Sequence, residues 1–477
     1  DESAEDTADV LVADLPCSGL GVLRKKTDIR YKMSRGQQEE LEALQRRILD
    51  TVCSYVKKDG IMVYSTCTIN PGENQENVAW FLGKHPEFEL LDMEQIYPGT
   101  QVGSEMCIRD RIKTYLIATR KENGKEEIMQ QEKTDIKSMN LEELKSYMES
   151  IGEKPFRAKQ LYQWMHEKQA ASFDEMTNLS KSLQEKLKNE CRFVSLEQEA
   201  VQISKIDGTR KYLFALDDGN VIESVLMRYK HGNSVCISSQ VGCRMGCRFC
   251  ASTLDGLVRG LTPSEMLDQI YRITRDTGER VANVVVMGTG EPMDNFDNLL
   301  KFIELLTDEN GLNISQRNVT VSTCGIVPKM RELADKKLQI TLALSLHASS
   351  QEKRLELMPV ANKYEIHEVI EACRYYFEQT GRRVTFEYSL VGGVNDTDED
   401  VRRLADLIHG MNCHVNLIPV NPIKERSYVQ PDHEAILNFK NRLEKNAINV
   451  TIRREMGRDI DGACGQLRKR YISHAER

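Results

Sequence analysis

The stretch "SSQVGCRMGCRFCAST", residues 238–253, holds three cysteines in the spacing Cys-x3-Cys-x2-Cys, namely Cys243, Cys247 and Cys250. A disulfide arrangement does not suit three neighbouring thiols, because one pairing leaves the third thiol alone. A metal ion or a metal cluster is the natural competitor. The residues around this loop help to distinguish a disulfide from a metal site.

The spacing favours an iron–sulfur cluster over zinc. Three thiolates can hold three irons of a 4Fe–4S cube and leave the fourth iron open. A structural zinc ion needs a fourth ligand, which Cys236 could supply just upstream. The spacing is also the signature of radical S-adenosylmethionine enzymes. In such enzymes the open iron chelates the amino and carboxylate groups of S-adenosylmethionine, and one electron cleaves the sulfonium to a 5′-deoxyadenosyl radical.

The sequence downstream of the cysteine loop predicts an α/β fold. Apolar strand-like runs such as "NVVVMGTG", "NVTVSTCG" and "ITLALSLH" alternate with amphipathic helical stretches such as "TPSEMLDQIYRITRDTG". Strands that alternate with helices predict a parallel sheet, and residues 231–477 carry enough strands for a full or partial (β/α) barrel. Chemistry in such folds lies at the carboxyl ends of the strands.

Several polar or unusual residues follow these strands, and we expect them to share one rim. Each residue alone is most simply a satisfied polar group or a turn glycine at a strand end. Together they are candidates for binding a cofactor. The candidates are Gly290 and Glu291 in "MGTGEP", Ser322 in "VSTCG", Ser345, Leu346 and His347 in "LSLH", and Asn421 in "IPVNP".

A further cysteine, Cys464 in "DIDGACGQL", follows the last predicted strand. One interpretation is a small buried hydrophobic residue, the commonest environment of a free cysteine. The other is a reactive thiol on a loop that faces the cluster.

The chain upstream of the barrel divides into three parts. Residues 131–230 predict a small helical module followed by antiparallel strands with Asp-Gly turns. Residues 1–100 predict part of another α/β sheet, without the usual strand that leads into a glycine-rich loop. Residues 101–130 form a junction in which "VGSEMCIRDR" resembles translated adapter DNA, which predicts a chimaeric joint. The alternative is a genuine linker between fused domains.

Composition narrows the class of protein. The chain has 477 residues, 13 cysteines and a formal net charge of −8. We find no apolar run near the roughly 18 residues that a membrane helix needs. The scattered cysteines are not typical of a secreted disulfide framework, so we expect a reducing cytoplasm and no membrane partner. The net charge argues against nonspecific nucleic-acid binding but leaves room for local basic faces.

From about residue 131 the chain resembles the bacterial dual-specificity RNA methyltransferases that methylate carbon 2 of adenosine. A sibling family that methylates carbon 8 and confers antibiotic resistance tends to carry Gly-Met-Gly-Glu-Ala where this chain has "GTGEP". We therefore favour the carbon 2 family. The matching motifs are "SSQVGCRMGCRFC", "MGTGEPMDN", "STCGIVP", "SLHA", "GVND", "NLIPVNP" and "DIDGACGQL".

This resemblance implies a mechanism. Cys464 takes a methyl group from one S-adenosylmethionine, and a second one, bound at the cluster, yields the radical that activates this methyl group for addition to carbon 2. Glu223 then removes the carbon 2 proton, and Cys236 attacks Cys464 to form a transient disulfide that frees the RNA. Taken alone, Glu223 is more simply a solvated strand residue and Cys236 an inward-facing strand thiol.

The resemblance also implies cofactors and partners. They are one 4Fe–4S cluster with three cysteine ligands, two molecules of S-adenosylmethionine per turnover, 23S rRNA and tRNA as substrates, and an electron donor such as flavodoxin or ferredoxin, with the chain as a monomer. Two other classes compete with this reading. One is a radical enzyme that acts on a small molecule or peptide, and the other is a noncatalytic zinc-bearing RNA-binding adaptor.

The amino-terminal piece resembles a second family, the ribosomal RNA cytosine carbon 5 methyltransferases. The motifs "ADLPCSG" and "YSTCTINPGEN" carry this resemblance. It implies that Cys67 is the nucleophile, that Cys17 helps to release product and that Asp14 contacts the base. The cofactor-binding glycine loop is missing, so we expect a truncated, inactive, Rossmann-like fragment.

Overall fold

The structure is a computed structural model of the chain. It forms two compact units, residues 1–130 and residues 131–477, which are described separately. No helix among the described residues is both long enough and apolar enough to cross a membrane. The structure describes residues 7–18, 35–66, 71–90, 106–108, 112–119, 133–420, 428–460, 467–468 and 471.

The first unit is a small mixed sheet with two helices. Strand order is β1-β2-β5-β3, with β4 paired to β5. The β1–β2 pairing is parallel, whereas β5 runs antiparallel to β2 and β3. Strand β5 therefore places part of the predicted junction in this sheet. The elements are β1 (Ala8–Asp14), α1 (Arg35–Val52), β2 (Val56–Thr66), α2 (Gln75–Lys84), β3 (Phe88–Leu90), β4 (Met106–Ile108) and β5 (Ile112–Thr119).

The second unit opens with the predicted helical module. Asn140 begins its first helix with a capping box: Asn140 Oδ1 accepts a hydrogen bond from Glu143 N, and Glu143 Oε2 accepts one from Asn140 N. Such a box satisfies two backbone donors that the first turn leaves without partners. The elements of this module are β6 (Thr134–Asp135), α3 (Leu141–Ser150), α4 (Phe156–Tyr162), α5 (Lys181–Glu190) and β7 (Cys191–Arg192).

A ten-stranded sheet, a separate two-stranded ribbon of β12 and β13 and the helices listed below follow in the second unit. The strands after β7 are β8 (Glu197–Ile203), β9 (Arg210–Ala215), β10 (Val221–Tyr229), β11 (Gly232–Ile237), β12 (Gln240–Gly242), β13 (Leu257–Gly260), β14 (Val281–Val286), β15 (Val319–Thr323), β16 (Thr341–Ser345), β17 (Val384–Leu390), β18 (Cys413–Pro419) and β19 (Val450–Ile452). The helices are α6 (Pro263–Thr277), α7 (Phe296–Thr307), α8 (Val327–Asp335), α9 (Gln351–Leu357), α10 (Ile366–Thr380), α11 (Asp398–Leu407) and α12 (His433–Lys445).

The sheet order confirms the predicted partial barrel. The order is β19-β18-β17-β16-β15-β14-β11-β10-β9-β8, and every neighbour from β11 to β19 is parallel. Strands β8 to β10 continue the same sheet in antiparallel fashion. The sheet thus runs without a break across the predicted boundary between residues 230 and 231, and this boundary stays a prediction.

One apolar core joins the helical module to the barrel. Ile136 and Leu161 of the module belong to the same buried cluster as Val284 and Leu342 of the parallel strands. The apolar side chains of the parallel strands are buried because helices cover the outer face of the sheet. The carboxyl ends of the strands meet at one edge, and this edge carries the site described next.

Candidate active site

The cysteine loop lies between β12 and β13, which pair as a short antiparallel ribbon. Cys243 N donates to Gly256 O at 2.7 Å and closes the base of the loop. Gly242 has φ of 78°, and a side chain there would collide with Gly256 O. Only glycine suits this combination of left-handed backbone and close approach. Cys250 N donates to Cys247 O at 3.1 Å and folds the other end of the loop.

The three thiols share a desolvated environment. Burial raises the pKa of Cys243 to about 12 and the pKa of Cys247 well above its ordinary value, and the nearby Cys250 adds to both shifts. Burial also raises the pKa of Cys250. A cationic group bound between the thiols would remove this penalty, because iron binds the thiolate form.

The three thiols have the chemistry of cluster ligands. In a 4Fe–4S cube with three protein ligands, each thiolate binds a different iron. Three buried or half-buried free thiols on one short loop fit such a cube.

The "GTGEP" turn follows β14 and packs against the start of the cysteine loop. Gly290 has φ of 114°, and a Cβ there would lie 2.7 Å from Gln240 Cβ. Glu291 N donates to Gln240 Oε1, while its carboxylate accepts from Cys324 N at 2.7 Å and Met293 N at 3.1 Å. Burial raises the pKa of Glu291. The turn thus ties β14 and β15 to the loop.

Two predicted serines meet at the rim. Ser322 at the end of β15 and Ser345 at the end of β16 have their Oγ atoms 3.3 Å apart. Leu346 N and His347 N both donate to Glu387 O on the neighbouring strand. Adjacent parallel strands bring these residues together although they lie far apart in the sequence.

His347 is a neutral imidazole with a fixed orientation. Its Nδ1 accepts a hydrogen bond from Ser389 N at 2.8 Å, so its Nε2 carries the proton. Burial lowers the pKa of His347 to about 3, and the cationic Arg354 adds to this shift. The backbone of His347 has φ of 54°, and Asn395 Nδ2 donates to its carbonyl oxygen. A strained backbone at a buried polar residue is typical of functional sites.

The antiparallel strands bring Glu223 and Cys236 to one face of the sheet. Lys211, Val225 and Cys236 are paired across β9, β10 and β11, so their side chains point to the same face. Glu223 lies two residues before Val225 and shares that face. Lys211 Nζ lies 3.1 Å from Glu223 Oε2. Burial raises the pKa of the Cys236 thiol, whereas the charges of Arg453 and Lys211 lower it.

The other carboxylate oxygen of Glu223 holds the carboxyl-terminal segment. Arg468 N donates to Glu223 Oε1 at 2.6 Å, and Arg468 Nε donates to Val221 O at 3.0 Å. Leu467 packs against Leu213 and Val221. These contacts anchor the chain to β9 and β10 a few residues after Cys464.

A cavity of about 510 Å³ opens at this edge of the sheet. Predicted site residues from both parts of the sheet line it, namely Glu223, Cys236, Cys250, Ser322, Ser345 and His347. The other described candidates do not line the cavity, namely Cys243, Cys247, Gly290, Glu291 and Leu346. Asn421, Cys464 and, in the first unit, Cys67 lie outside the described residues. Cys236 is a free thiol, so the implied disulfide with Cys464 is not seen.

Sequence reasoning missed other residues that line the cavity. Glu387 on β17 is buried, which raises its pKa, and it accepts from Asn416 Nδ2 at 2.9 Å. Arg453 and Arg454 follow β19 directly and bring positive charge to the rim. The sequence did contain a signal for these two arginines, because they directly follow the strand-like run "NVTI". An anionic substrate would be attracted by these two guanidinium groups.

Comparison with known proteins identifies the second unit. Residues 134–193 match the family model of the ribosomal RNA large subunit methyltransferase N-terminal domain, and residues 237–408 match that of the radical SAM superfamily. The chain is 71% identical over 339 residues, 71% of this chain and 97% of the relative, to a probable dual-specificity RNA methyltransferase RlmN of Lachnospira eligens. The chain belongs to the dual-specificity RNA methyltransferase family. This result confirms the family that the motifs predicted.

Further relatives of this family agree. A probable dual-specificity RNA methyltransferase RlmN of Clostridium novyi is 54% identical over 338 residues, 71% of this chain and 98% of the relative. The crystal structure of a radical SAM methyltransferase from Sphaerobacter thermophilus is 40% identical and covers 70% of this chain and 98% of its own chain, with a TM-score of 0.68. This neighbour confirms the radical SAM fold class, and the superfamily implies a 4Fe–4S cluster and S-adenosylmethionine.

The first unit matches a different family model. Residues 1–124 match 16S rRNA methyltransferase RsmB/F, which agrees with the predicted resemblance to RNA cytosine methyltransferases. The match reaches through β5, past the predicted end of this fragment at residue 100. In the structure Asp14 Oδ1 accepts from Ser65 Oγ at 3.1 Å. The roles implied for Asp14, Cys17 and Cys67 stay predictions.

Proposed function

We propose that the chain methylates carbon 2 of adenosine in 23S rRNA and tRNA through a methylated Cys464 and a covalent protein–RNA intermediate. The observation that carries this proposal is that Glu223, Cys236 and Cys250 line one cavity. A proton acceptor, a free thiol and a proposed cluster ligand thus face the same space. The names of the relatives and the radical SAM fold support the same conclusion.

The cofactors would be held by the residues at the carboxyl edge of the sheet. Cys243, Cys247 and Cys250 would bind one 4Fe–4S cluster. The proposed contacts of S-adenosylmethionine are Gly290, Glu291, Ser322, Ser345, Leu346, His347 and Asn421. Of these, Ser322, Ser345 and His347 line the cavity. The Nε2 proton of His347 is positioned to donate to a polar group, because Ser389 occupies Nδ1. When bound, these cofactors would supply one-electron chemistry: a radical for the methyl group on Cys464 and an acceptor for the electron that the RNA adduct releases.

Glu223 would take the carbon 2 proton of the adduct. Its carboxylate is held by Lys211 on one oxygen and by Arg468 N on the other. An ionised carboxylate accepts hydrogen bonds and protons and donates none, so its chemistry suits this role. The anchored carboxylate keeps the orientation that proton transfer needs.

Cys236 would release the product. Its Sγ would form a bond to Cys464 Sγ, while the bond from Cys464 Sγ to the transferred carbon breaks. That carbon keeps the electron pair, gains a proton and becomes the methyl group. A dithiol reductant would then return both cysteines to thiols.

Two molecules of S-adenosylmethionine would be consumed, one to methylate Cys464 and one to supply the radical. The cluster and the thiols need a reducing compartment, which supports a cytoplasmic location and an electron donor such as flavodoxin or ferredoxin.

The test is the position of the methyl group in RNA. The full chain, reconstituted anaerobically with ferrous iron and sulfide, is incubated with unmethylated 23S rRNA or tRNA, S-adenosylmethionine and a reductant. Nucleoside mass spectrometry against standards should show 2-methyladenosine, and the matched Cys464→Ala variant should form none. 8-Methyladenosine would show that the sibling reaction is correct, and failure to methylate any RNA would overturn the proposal.

A further inference from the structure

Arg354 on α9 is a completely buried cation, with 0% of the residue exposed. Arg354 Nη1 donates to Tyr364 O at 3.1 Å and Nη2 donates to Cys324 O at 2.7 Å, while Nε has no hydrogen-bond partner in the described part of the chain. Both bonded partners are neutral carbonyl groups. No carboxylate among the described residues forms an ion pair with this guanidinium. A buried charge without a counter-ion is strongly unfavourable.

The groups near Arg354 point to the cysteine loop. Burial lowers the pKa of Arg354, and the ionisable groups that oppose this effect are Cys324, Cys247 and Cys373. Burial raises the pKa of Cys324 and of Cys373, so both are neutral thiols at neutral pH. Cys247 differs from them because binding to iron makes it a thiolate.

Helix α9 packs directly beneath this loop. Leu357 and Met358, at the end of α9, belong to the same apolar cluster as Cys247 and Cys324. Arg248 N, next to Cys247, donates to Leu357 O at 2.9 Å. The guanidinium of Arg354 and the Cys247 end of the loop therefore lie in one dry layer, where electrostatic interactions are weakly screened.

We propose that Arg354 is the buried counter-charge of the iron–sulfur cluster and raises its reduction potential. This inference rests on the proposed function, because it takes Cys247 as a cluster ligand. Reduction adds one electron and makes the ligated cluster more negative by one charge. A fixed cation nearby stabilises this reduced state more than the oxidised state, and charge and burial are known determinants of such potentials. Arg354 is a positioning residue in this role, since it need not touch S-adenosylmethionine or RNA.

Four variants of the full chain separate charge from hydrogen bonding. Arg354→Lys keeps the cation but loses the forked donor geometry. Arg354→Gln keeps an N–H donor without the charge, and Arg354→Met removes both. Arg402→Met is the matched control, because Arg402 is an exposed arginine on α11. Each protein is reconstituted with ferrous iron and sulfide, its iron content is measured, and its cluster is titrated with dithionite without substrate while the electron paramagnetic resonance signal is recorded.

We expect Arg354→Gln and Arg354→Met to lower the equilibrium constant for reduction about tenfold, which is about 59 mV for one electron. Arg354→Lys and Arg402→Met should stay near the wild-type potential. Neutral variants that hold full iron at the wild-type potential would overturn the inference. If both neutral variants lose the cluster while Arg354→Lys keeps it, the counter-charge is supported, and if Arg354→Lys loses it too, the role of Arg354 is only structural.

A different experiment tests the cluster ligands that the proposed function requires. A Cys247→Ala variant that keeps its full iron content and its signal would remove Cys247 from the ligands. Unchanged potentials in Arg354 variants with intact clusters would leave the proposed ligands and the RNA reaction untouched.

Discussion

Lys211 Nζ lies 3.1 Å from Glu223 Oε2, and the two side chains are 0% and 3% exposed. A buried carboxylate is costly unless a cation or hydrogen bonds compensate its charge. The pairing follows from sheet register, because Lys211 is directly opposite Val225, two residues beyond Glu223. Lys211 therefore fixes the carboxylate of the proposed base at the edge of the cavity.

Replacing Lys211 with Met should slow RNA methylation about 100-fold, the typical contribution of a positioned acid or base. The neutral side chain removes the contact between Lys211 Nζ and Glu223 Oε2, so the carboxylate loses part of the orientation that proton transfer needs. Lys211→Arg keeps the charge and should retain most of the activity. The measurement is the single-turnover rate of 2-methyladenosine formation. Equal rates in Lys211→Met and wild type would show that Glu223 does not depend on this pair.

Acid should destabilise the second unit through two buried histidines. Burial lowers the pKa of His166 to about 3, as it does for His347. The ordinary value is 6.5, so the unfolded chain binds more protons than the folded chain between these values. Stability is therefore unaffected above about pH 6.5 and falls as the pH falls from there toward about 3.

The His166→Phe variant isolates one of these contributions. Between about pH 7 and about pH 5.5, it should lose about 1 kcal/mol less unfolding free energy than wild type. Urea unfolding at both pH values gives this difference. An exposed histidine on the surface, His409, provides the control variant His409→Phe, which should follow wild type. Identical pH dependence in the His166 variant and wild type would mean that this imidazole accepts protons in the folded state.

Much of the barrel could be predicted from the sequence. Apolar runs at regular spacing predicted the parallel strands, and residues directly after them, such as Ser322 and Ser345, indeed meet at the rim. Strand ends are informative because a parallel sheet collects them at one edge. The cysteine loop could be predicted for a different reason. Its three cysteines lie within eight residues of one another, so any fold keeps them on one short segment.

Long-range partners could not be predicted in this way. Lys211 stands in the strand-like run "RKYLFAL", where alternation indicates a face but not which carboxylate of another strand lies nearby. Arg354 in "QEKRLELM" looks like a solvated residue of an amphipathic helix, and only the packing of α9 under the cysteine loop buries it. Glu387 lies inside a buried strand, where a carboxylate has no local signal.

Removal of one proposed cluster ligand should abolish the cluster. Cys243→Ala, Cys247→Ala and Cys250→Ala should each lose iron, the broad visible absorption of the cluster and all 5′-deoxyadenosine formation, because a cube needs every thiolate. The control is Cys191→Ala, which removes a buried thiol of the helical module. Deoxyadenosine formation in a variant would remove that cysteine from the ligand set.

Residues 131–477 should fold and methylate RNA without the first unit. They form a compact unit of their own, which contains every described residue of the candidate site. The shortened protein should bind the same iron per chain and form 2-methyladenosine at a rate close to that of the full chain, because every residue that lines the cavity belongs to it. Insoluble protein, beside a well-behaved full chain, would show that the first unit is needed for folding.

The last prediction separates the roles of Cys464, Cys236 and Glu223. Cys464→Ala should keep its iron, because the proposed ligands are elsewhere, yet form no methylated adenosine. Cys236→Ala should still accept a methyl group on Cys464 and attack RNA, but without the second thiol it should accumulate a covalent protein–RNA adduct. Glu223→Gln should stall one step earlier, since an amide cannot remove the carbon 2 proton.

Denaturing gels of each variant purified from cells, with and without nuclease, reveal the adduct as a nuclease-sensitive shift. Mass spectrometry of the Cys464 peptide shows whether it carries a methyl group. Cys413→Ala, which removes a buried strand thiol, is the matched control and should behave as wild type. Normal turnover by Cys236→Ala, or an unmodified Cys464 in active enzyme, would refute these thiol roles while leaving the cluster assignment intact, because neither cysteine is a proposed iron ligand.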